Sequence, residues 1–119
     1  MNSPTTELLS SLRNRLKLLN IPIRFKLPEA SVVEPFLVIG GITSDTSKTA
    51  QTGLIIEDST VQIDIYLAGN KNRAYAEDVK SQAIRLLGRN TRTTSTILMD
   101  NSIGREVYHI VIKTTETIL

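Results

Sequence analysis

In the stretch Val61-Gln62-Ile63-Asp64-Ile65-Tyr66-Leu67, aliphatic side chains alternate with more polar ones. A period of two residues puts alternate side chains on opposite faces of a sheet, so this stretch predicts a strand with one face in the core. Earlier in the chain, Phe36–Ile39 is apolar throughout, which is typical of a strand covered on both faces. Gly40-Gly41 follows it, and we expect the backbone there either to bulge or to lie close to a neighbour.

Two helices are predicted before and after these strands. Ser3-Pro4 combines a capping side chain with a proline suited to the first helical position, and leucines recur at helical spacing through residues 8–19. We expect this helix to end near Asn20. The second helix is predicted to begin at the cap residue Asn72 and to close at Gly88.

Three further segments have strand patterns: Ile21–Leu27, Thr96–Asp100 and Val107–Thr114. The first of them contains Pro22, which lacks an amide hydrogen, so this strand lies at a sheet edge or begins at the proline. The element order is α-β-β-β-α-β-β, and a chain of 119 residues fits a single domain over 1–119. We predict an α+β fold: a single mainly antiparallel sheet of about five strands, with two helices packed on one face.

The connection between the second and third strands is unusually polar. Residues 43–53 contain almost no side chain that needs burial. A connection of this length in a small domain is typically functional or mobile, so we expect a mobile loop at about 43–53.

Charge is nearly balanced overall but unevenly distributed. The net charge is +2, made up of +4 over residues 1–27, −5 over 28–70, +4 over 71–92 and −1 over 93–119. Basic and acidic regions on one small domain suit either steering of a charged partner or contact between copies of the chain. A solvated surface of mixed sign explains the same distribution.

The sequence contains no set of residues that predicts catalysis. With one histidine, His109, and no cysteine, a His/Cys metal site is excluded. The carboxylates Glu57, Asp58 and Asp64 form the main acidic cluster, but Asp58 and Asp64 would lie ~20 Å apart along one strand face. We therefore expect these carboxylates to be solvated and His109 to be an ordinary residue of a half-exposed strand. The predictions are no enzyme, no cofactor and no metal.

The middle of the chain resembles a known family. Pro35-Phe36-Leu37-Val38-Ile39-Gly40 is similar to a P-[FY]-x-V-x-G segment of the tail terminators, or tail-to-head joining proteins, of long-tailed bacteriophages. In that family a polar loop with Lys-Thr and a later glycine follows, as Lys48-Thr49 and Gly53 do here. An alternating strand and a turn with basic residues then lead into a helix, matched by residues 61–66 and 70–87.

This resemblance implies a structural virion protein without enzymatic activity. Family members form a ring, usually hexameric, that caps the finished tail tube, ends its polymerisation and presents a docking surface to the head. The implied partners are other copies of the chain, the major tail tube protein and a head-completion or connector protein. DNA would pass through the ring without specific binding. The implied location is the head–tail junction of the virion, after assembly in the host cytoplasm, and no membrane is involved.

Specific residues can be assigned to this role as expectations. The polar loop would order on contact with the tube; the contact residues are Ser44, Asp45, Thr46, Ser47, Lys48 and Thr49. The basic side of the ring interface would be on the second helix and just after it; its residues are Arg73, Lys80, Arg85 and Arg89. An acidic lumen would repel DNA; its candidate residues are Glu57, Asp58 and Asp64.

Two alternatives remain open at this stage. The basic face of the second helix, together with Arg89 and Arg92, would suit a small nucleic-acid-binding module, although the chain has only five aromatic residues for base stacking. Within the phage interpretation, a neighbouring head–tail connector (a stopper or adaptor) has similar sequence patterns.

Overall fold

A computed structural model describes residues 3–45, 57–88, 92–102 and 104–118 of the chain. These residues form two α-helices and one mixed five-stranded sheet, which confirms the predicted α+β fold. The helices are α1 (Pro4–Leu16), which continues as a 3-10 turn over Lys17–Leu19, and α2 (Arg73–Leu87). The strands are β1 (Ile23–Arg24), β2 (Phe36–Asp45), β3 (Glu57–Ala68), β4 (Arg92–Asp100) and β5 (Val107–Ile118).

Helix boundaries follow the predicted capping residues. The Ser3 side chain accepts a hydrogen bond from the Thr6 amide at 3.1 Å, and Asn72 accepts one from the Tyr75 amide at 2.8 Å. Each cap satisfies an amide that has no partner within its helix. The 3-10 turn after α1 ends at Asn20, whose φ of 58° lies in the left-handed region, as is common at a helix end.

The strands lie in the order β1-β2-β3-β5-β4. β1 pairs with β2 in parallel, and every other neighbouring pair is antiparallel. β1 lies at an edge and begins directly after Pro22, which agrees with both expectations for that proline, but it is much shorter than the predicted Ile21–Leu27 strand. Ile21 and Ile23 reach the core, whereas Phe25 and Leu27 remain about half exposed, so burial holds only the start of this segment against the sheet.

β2 extends further than predicted, because its pairing with β3 continues on the far side of a bulge. Gly41 and Ile42 lie opposite the single residue Val61, and pairing then continues through Asp45. Gly41 has a φ of 63°, which a residue with a side chain rarely adopts. The start of the predicted loop, residues 43–45, is therefore strand; the rest of the predicted loop, 46–53, lies outside the described residues.

The main core lies between the two helices and one face of the sheet. Helix α1 contributes Leu8, Leu12 and Leu16, and α2 contributes four residues: Ala76, Val79, Ala83 and Leu87. The sheet contributes alternate residues of its central strands: Leu37, Ile39, Val61, Ile63, Ile65, Leu67, Ile110 and Ile112. Apolar residues at helical spacing and apolar residues at alternate strand positions thus pack together in one layer, as the sequence predicts.

A smaller apolar cluster covers one end of the opposite face. Phe36, Val38, Tyr66 and Val107 are buried there, with Val32 packed against them. The segment that carries Val32 is held by Arg105, which donates to the carbonyl oxygens of Ala30 and Val32 and to the carboxylate of Glu34. This covering explains why Phe36–Ile39 is buried on both faces.

Candidate functional site on the open face of the sheet

The face of the sheet opposite the helices is only partly covered, and we call it the open face. Strand register places alternate residues of β3, β5 and β4 on it. Its polar members include Thr60, Gln62, Asp64, His109, Lys113, Thr115, Thr94, Thr96 and Asp100. Such a face, solvated on one side and backed by a core, is typical of antiparallel sheets.

His109 lies at the centre of this face, between two carboxylates. Its Nε2 is 2.7 Å from Asp64 Oδ1, and its Nδ1 is 3.0 Å from Asp100 Oδ2. The ring also stacks on Tyr66, with centroids 4.4 Å apart and planes inclined by 18°. Because Asp64 is on β3, His109 on β5 and Asp100 on β4, this cluster joins three strands side by side. We call it the Asp64–His109–Asp100 bridge.

The bridge requires a protonated imidazole. A neutral ring has one N–H, so one of its nitrogens would direct a lone pair at a carboxylate. Burial lowers the pKa of His109, but hydrogen bonds and charge from Asp64 and Asp100 outweigh burial and raise that pKa above its ordinary value. The side chain is 13% exposed, so solvent screens these interactions only weakly.

The two carboxylates have further donors of their own. Gln62 Nε2 donates to both oxygens of Asp64, at 3.1 and 3.2 Å. The Ser102 amide donates to Asp100 Oδ1 at 2.7 Å. Hydrogen bonds from the Ser102 backbone and side chain, followed by the contact with His109, lower the pKa of Asp100. Burial, with the charges of Asp64 and Asp100, raises the pKa of Tyr66.

This geometry ties strands together and leaves no imidazole nitrogen unoccupied. Both ring nitrogens of His109 face carboxylates, so neither offers a lone pair to a substrate or a metal ion. Asp64 and Asp100 lie on opposite sides of the ring and do not converge on one point. Within the described ranges, no three His, Asp or Glu side chains are grouped so that they could hold a metal ion.

Two of the three predicted acidic residues, Asp58 and Asp64, lie on the open face, and they are not solvated. Regular alternation along β3 puts Asp58 and Asp64 on the same face, as predicted. Both side chains are largely buried: Asp58 pairs with Arg92 at 3.4 Å, and Asp64 bonds His109. For Asp58 and Asp64 the expectation of solvated carboxylates is wrong, because their partners come from strands distant in sequence. Glu57 begins β3, and its side chain lies outside the described part.

The predicted basic residues are dispersed along α2. Arg73 and Arg85 are exposed, and Lys80 forms an ion pair with Glu77 at 3.2 Å. Glu77 and Asp78 interrupt the basic surface, which makes it less positive than the arginines and lysine alone suggest. Arg89 lies outside the described residues.

The predicted tube-contact residues divide between strand and undescribed chain. Ser44 and Asp45 belong to β2 and pair with Ser59 and Asp58. The others, Thr46, Ser47, Lys48 and Thr49, lie outside the described residues. The connection therefore begins after Asp45, at the end of β2, and finishes at Glu57, the start of β3. These two ends lie on neighbouring strands at one end of the sheet.

Sequence reasoning missed Asp100 as a partner of His109. The signal was present in the predicted hairpin of the last two strands, because pairing them brings Asp100 diagonally opposite His109. The register was needed to see it: Leu98 is the direct neighbour of His109, and Asp100 is two residues further along β4.

Comparison of the sequence with models of known protein families and with curated proteins finds no match. None of the helices in the described part is long and apolar enough to cross a membrane.

Proposed function

We propose that this chain is the tail terminator of a long-tailed bacteriophage, a structural virion protein at the head–tail junction. Copies of it form a ring, with six subunits as in the family it resembles, on the end of the tail tube. The ring ends tube polymerisation and offers a docking surface to a head-completion protein. DNA passes through the ring without specific binding. The observed element order, α-β-β-β-α-β-β, is the one predicted from the sequence patterns, and its leading helix and final hairpin, which the resembled family shares, support this proposal.

The observation that carries the proposal is the polar end of the β2–β3 ladder. Past the bulge, Thr43, Ser44 and Asp45 continue to pair with β3, and β3 pairs with β5 up to Glu57 and Ile118. The connecting residues, 46–56, thus start and finish on a three-stranded stem. A stem of this kind holds a contact segment at a fixed position while leaving its sequence free to suit a partner.

The charge pairing on the open face refines the proposed passage of DNA. Asp58 pairs with Arg92, and His109 lies between Asp64 and Asp100, so these three carboxylates and two cations leave one net negative charge on the face. If this face borders the lumen, DNA meets a nearly neutral hydrogen-bonded surface rather than a strongly repelling one.

Shortening the connection tests the proposed role directly. Residues 47–56 are replaced by Asn-Gly, which joins residue 46 to Glu57 through a two-residue turn that matches the antiparallel ladder. The stem is retained, so the variant should fold, with the circular dichroism and cooperative unfolding of the wild-type chain. Tail tube protein polymerised with this variant should give overlong tubes in negative-stain images, whereas the wild-type chain gives tubes capped at a defined length.

A matched control keeps the connection at its full length. In it, residues 47–56 are replaced by ten residues of glycine and serine, which separates the effect of sequence from that of length. We expect this control to fail at capping as well, because the contact side chains are gone. Normal capping by the Asn-Gly variant would contradict the proposed role of the connection.

A further inference from the structure

The segment between β1 and β2 covers one end of the open face. Residues 29–34, which we call the strap, belong to no helix or strand. Val32 of the strap packs on the smaller apolar cluster of the open face, whose members are at most 8% exposed. The next residue, Val33, is 75% exposed. The strap therefore buries an apolar surface while contributing little apolar surface of its own.

The attachment of the strap depends on one side chain. Arg105 donates to the carbonyl oxygens of Ala30 and Val32 and to the carboxylate of Glu34. Among the described residues, no other hydrogen bond joins the strap to the rest of the fold, since the Val32 amide donates within the strap, to Glu29. The Glu34 side chain is 4% exposed, so a closed strap without Arg105 would bury an unpaired carboxylate. The strap can thus stay closed only while Arg105 holds its position.

Arg105 lies in the turn between β4 and β5, and the Asp64–His109–Asp100 bridge anchors that turn. Asp100 is the last residue of β4. Its Oδ1 accepts from the Ser102 amide at 2.7 Å, and its Oδ2 is 3.0 Å from His109 Nδ1. One carboxylate therefore connects the bridge to the turn that carries Arg105.

A second contact between the strap and the bridge runs through stacked rings. Tyr66 belongs to the apolar cluster on which Val32 packs, and its ring stacks on that of His109 with centroids 4.4 Å apart. The Phe36 ring, in the same cluster, is 5.0 Å from that of Tyr66. A shift of the imidazole would therefore disturb the surface that holds Val32.

His109 is the group in this arrangement whose charge changes between pH 6 and pH 9. The groups that face its imidazole are Asp64 and Tyr66 from β3 and Asp100 from β4. Burial and the two carboxylates raise the pKa of Tyr66 above its ordinary value of 10.0, so the phenol stays neutral. On β5 itself, the next charged residue on the same face is Lys113, four positions along the strand.

We propose that the strap is a lid that is closed while His109 carries its second proton and opens when that proton is lost. A neutral ring has one N–H, so only one of the two carboxylates keeps its hydrogen bond. Asp64 has the shorter contact, 2.7 against 3.0 Å, and Gln62 donates to both of its oxygens. Asp100 is therefore the partner that moves, and the turn with Arg105 moves with it. This device is a property of the fold and is independent of the proposed function.

Labelling of single thiols measures the opening, because the chain contains no cysteine. Val107→Cys puts a thiol in the apolar cluster under the strap, and Val38→Cys repeats the measurement on another strand if the first variant does not fold. Val33→Cys, in the exposed part of the strap, gives the unprotected rate. Each labelling rate is divided by that rate at the same pH, which removes the effect of thiol ionisation. Ala83→Cys, fully buried in the main core, reports global unfolding.

The expected result is protection under the strap that depends on pH. From pH 6 to pH 9, the relative labelling rate of Val107→Cys should rise at least about fivefold, because one hydrogen bond to a charged group no longer supports the closed strap. The rate of Ala83→Cys should stay lower at every pH. Adding His109→Gln should remove the pH dependence. Adding Arg105→Gln should give fast labelling at both pH values, whereas the matched control Arg85→Gln, at an exposed position of α2, should change nothing.

Four results would overturn the inference. The first is a relative labelling rate of Val107→Cys that does not change with pH, and the second is a pH dependence that persists with His109→Gln. The third is equal rates for Val107→Cys and Ala83→Cys, because the thiol under the strap would then react only through global unfolding. The fourth is protection that is unchanged by Arg105→Gln.

Discussion

Raising the pH should weaken the fold through the Asp64–His109–Asp100 bridge. The pKa of His109 is raised above its ordinary value of 6.5 in the folded chain, because its two carboxylate partners outweigh burial. A group with a raised folded pKa contributes its full stabilisation below the unfolded value, here about pH 6.5. That stabilisation declines as the pH rises from there through the folded pKa. We therefore expect lower stability at pH 9 than at pH 6.

The structure sets the size of this effect. When the imidazole loses its proton, one ring N–H is lost, and one carboxylate at 2.7 or 3.0 Å then faces a lone pair. A hydrogen bond to a charged group contributes about 1.5–3 kcal/mol, and relief of the buried positive charge offsets part of its loss. The net loss should be about 2 kcal/mol, which corresponds to a decrease in Tm of roughly 8 °C for a domain of this size.

Urea unfolding at half-unit pH steps between 6 and 9 measures the effect, with His109→Gln as the matched control. Glutamine keeps a planar side chain with a donor but does not titrate in this range. The free energy of unfolding of the wild-type chain should decrease across the range by about 2 kcal/mol more than that of His109→Gln. Parallel curves for the two proteins, or a wild type that gains stability with pH, would refute the assigned protonation of the bridge.

Three further substitutions test the fold around the site. Gly69→Ala would put a Cβ against the Glu106 carbonyl oxygen, too close for any real contact, and should destabilise by about 3 kcal/mol in urea unfolding. The control Gly40→Ala meets only an ordinary contact at 3.9 Å and should cost under about 1 kcal/mol. Arg105→Lys keeps the positive charge but loses the planar guanidinium that holds residues 30–34. The Val32 amide, which donates to the Glu29 carbonyl oxygen, should then exchange hydrogen severalfold faster in NMR. An unchanged exchange rate would mean that the guanidinium does not hold the segment. Ile63→Ala removes a fully buried core side chain and should lower the free energy of unfolding by about 2–5 kcal/mol, and a loss under about 1 kcal/mol would contradict its place in the core.

Local signals in the sequence predicted most of the fold, because the features involved are decided by short-range chemistry. The caps at Ser3 and Asn72 depend on hydrogen bonds within three residues, and the alternation of residues 61–67 depends only on the strand period. A bulge was one of two structures expected at Gly40-Gly41, and it lies at Gly41 and Ile42, where glycine tolerates the backbone angles that a bulge needs.

The errors came where long-range pairing decides the structure. Residues 43–45 have a loop-like composition, but pairing with β3 makes them strand. Phe25 and Leu27 continue an alternating pattern, yet the strand ends at Arg24 because the core does not extend under them. The intrinsic strand propensity of a segment is a weak guide in such cases, because pairing and packing with residues elsewhere in the chain override it.

The candidate site was predicted only in part, for the same reason. Alternation placed Asp58 and Asp64 on one face, but their cationic partners, Arg92 and His109, lie 34 and 45 residues away in sequence. Only the order β3-β5-β4 brings these residues together. Charge pairs between these strands therefore depend on the order of the strands in the sheet, and the sequence patterns do not give that order.

The central claim is that this chain assembles with itself into a ring that does not depend on nucleic acid. Native mass spectrometry of the purified wild-type chain, at near-physiological salt and with an ultraviolet absorbance ratio taken on the same sample, tests it most directly. The account predicts a closed species of six subunits free of nucleic acid. A monomer that carries RNA or DNA, released steeply as the salt concentration rises, would contradict the account and support a nucleic-acid-binding module instead.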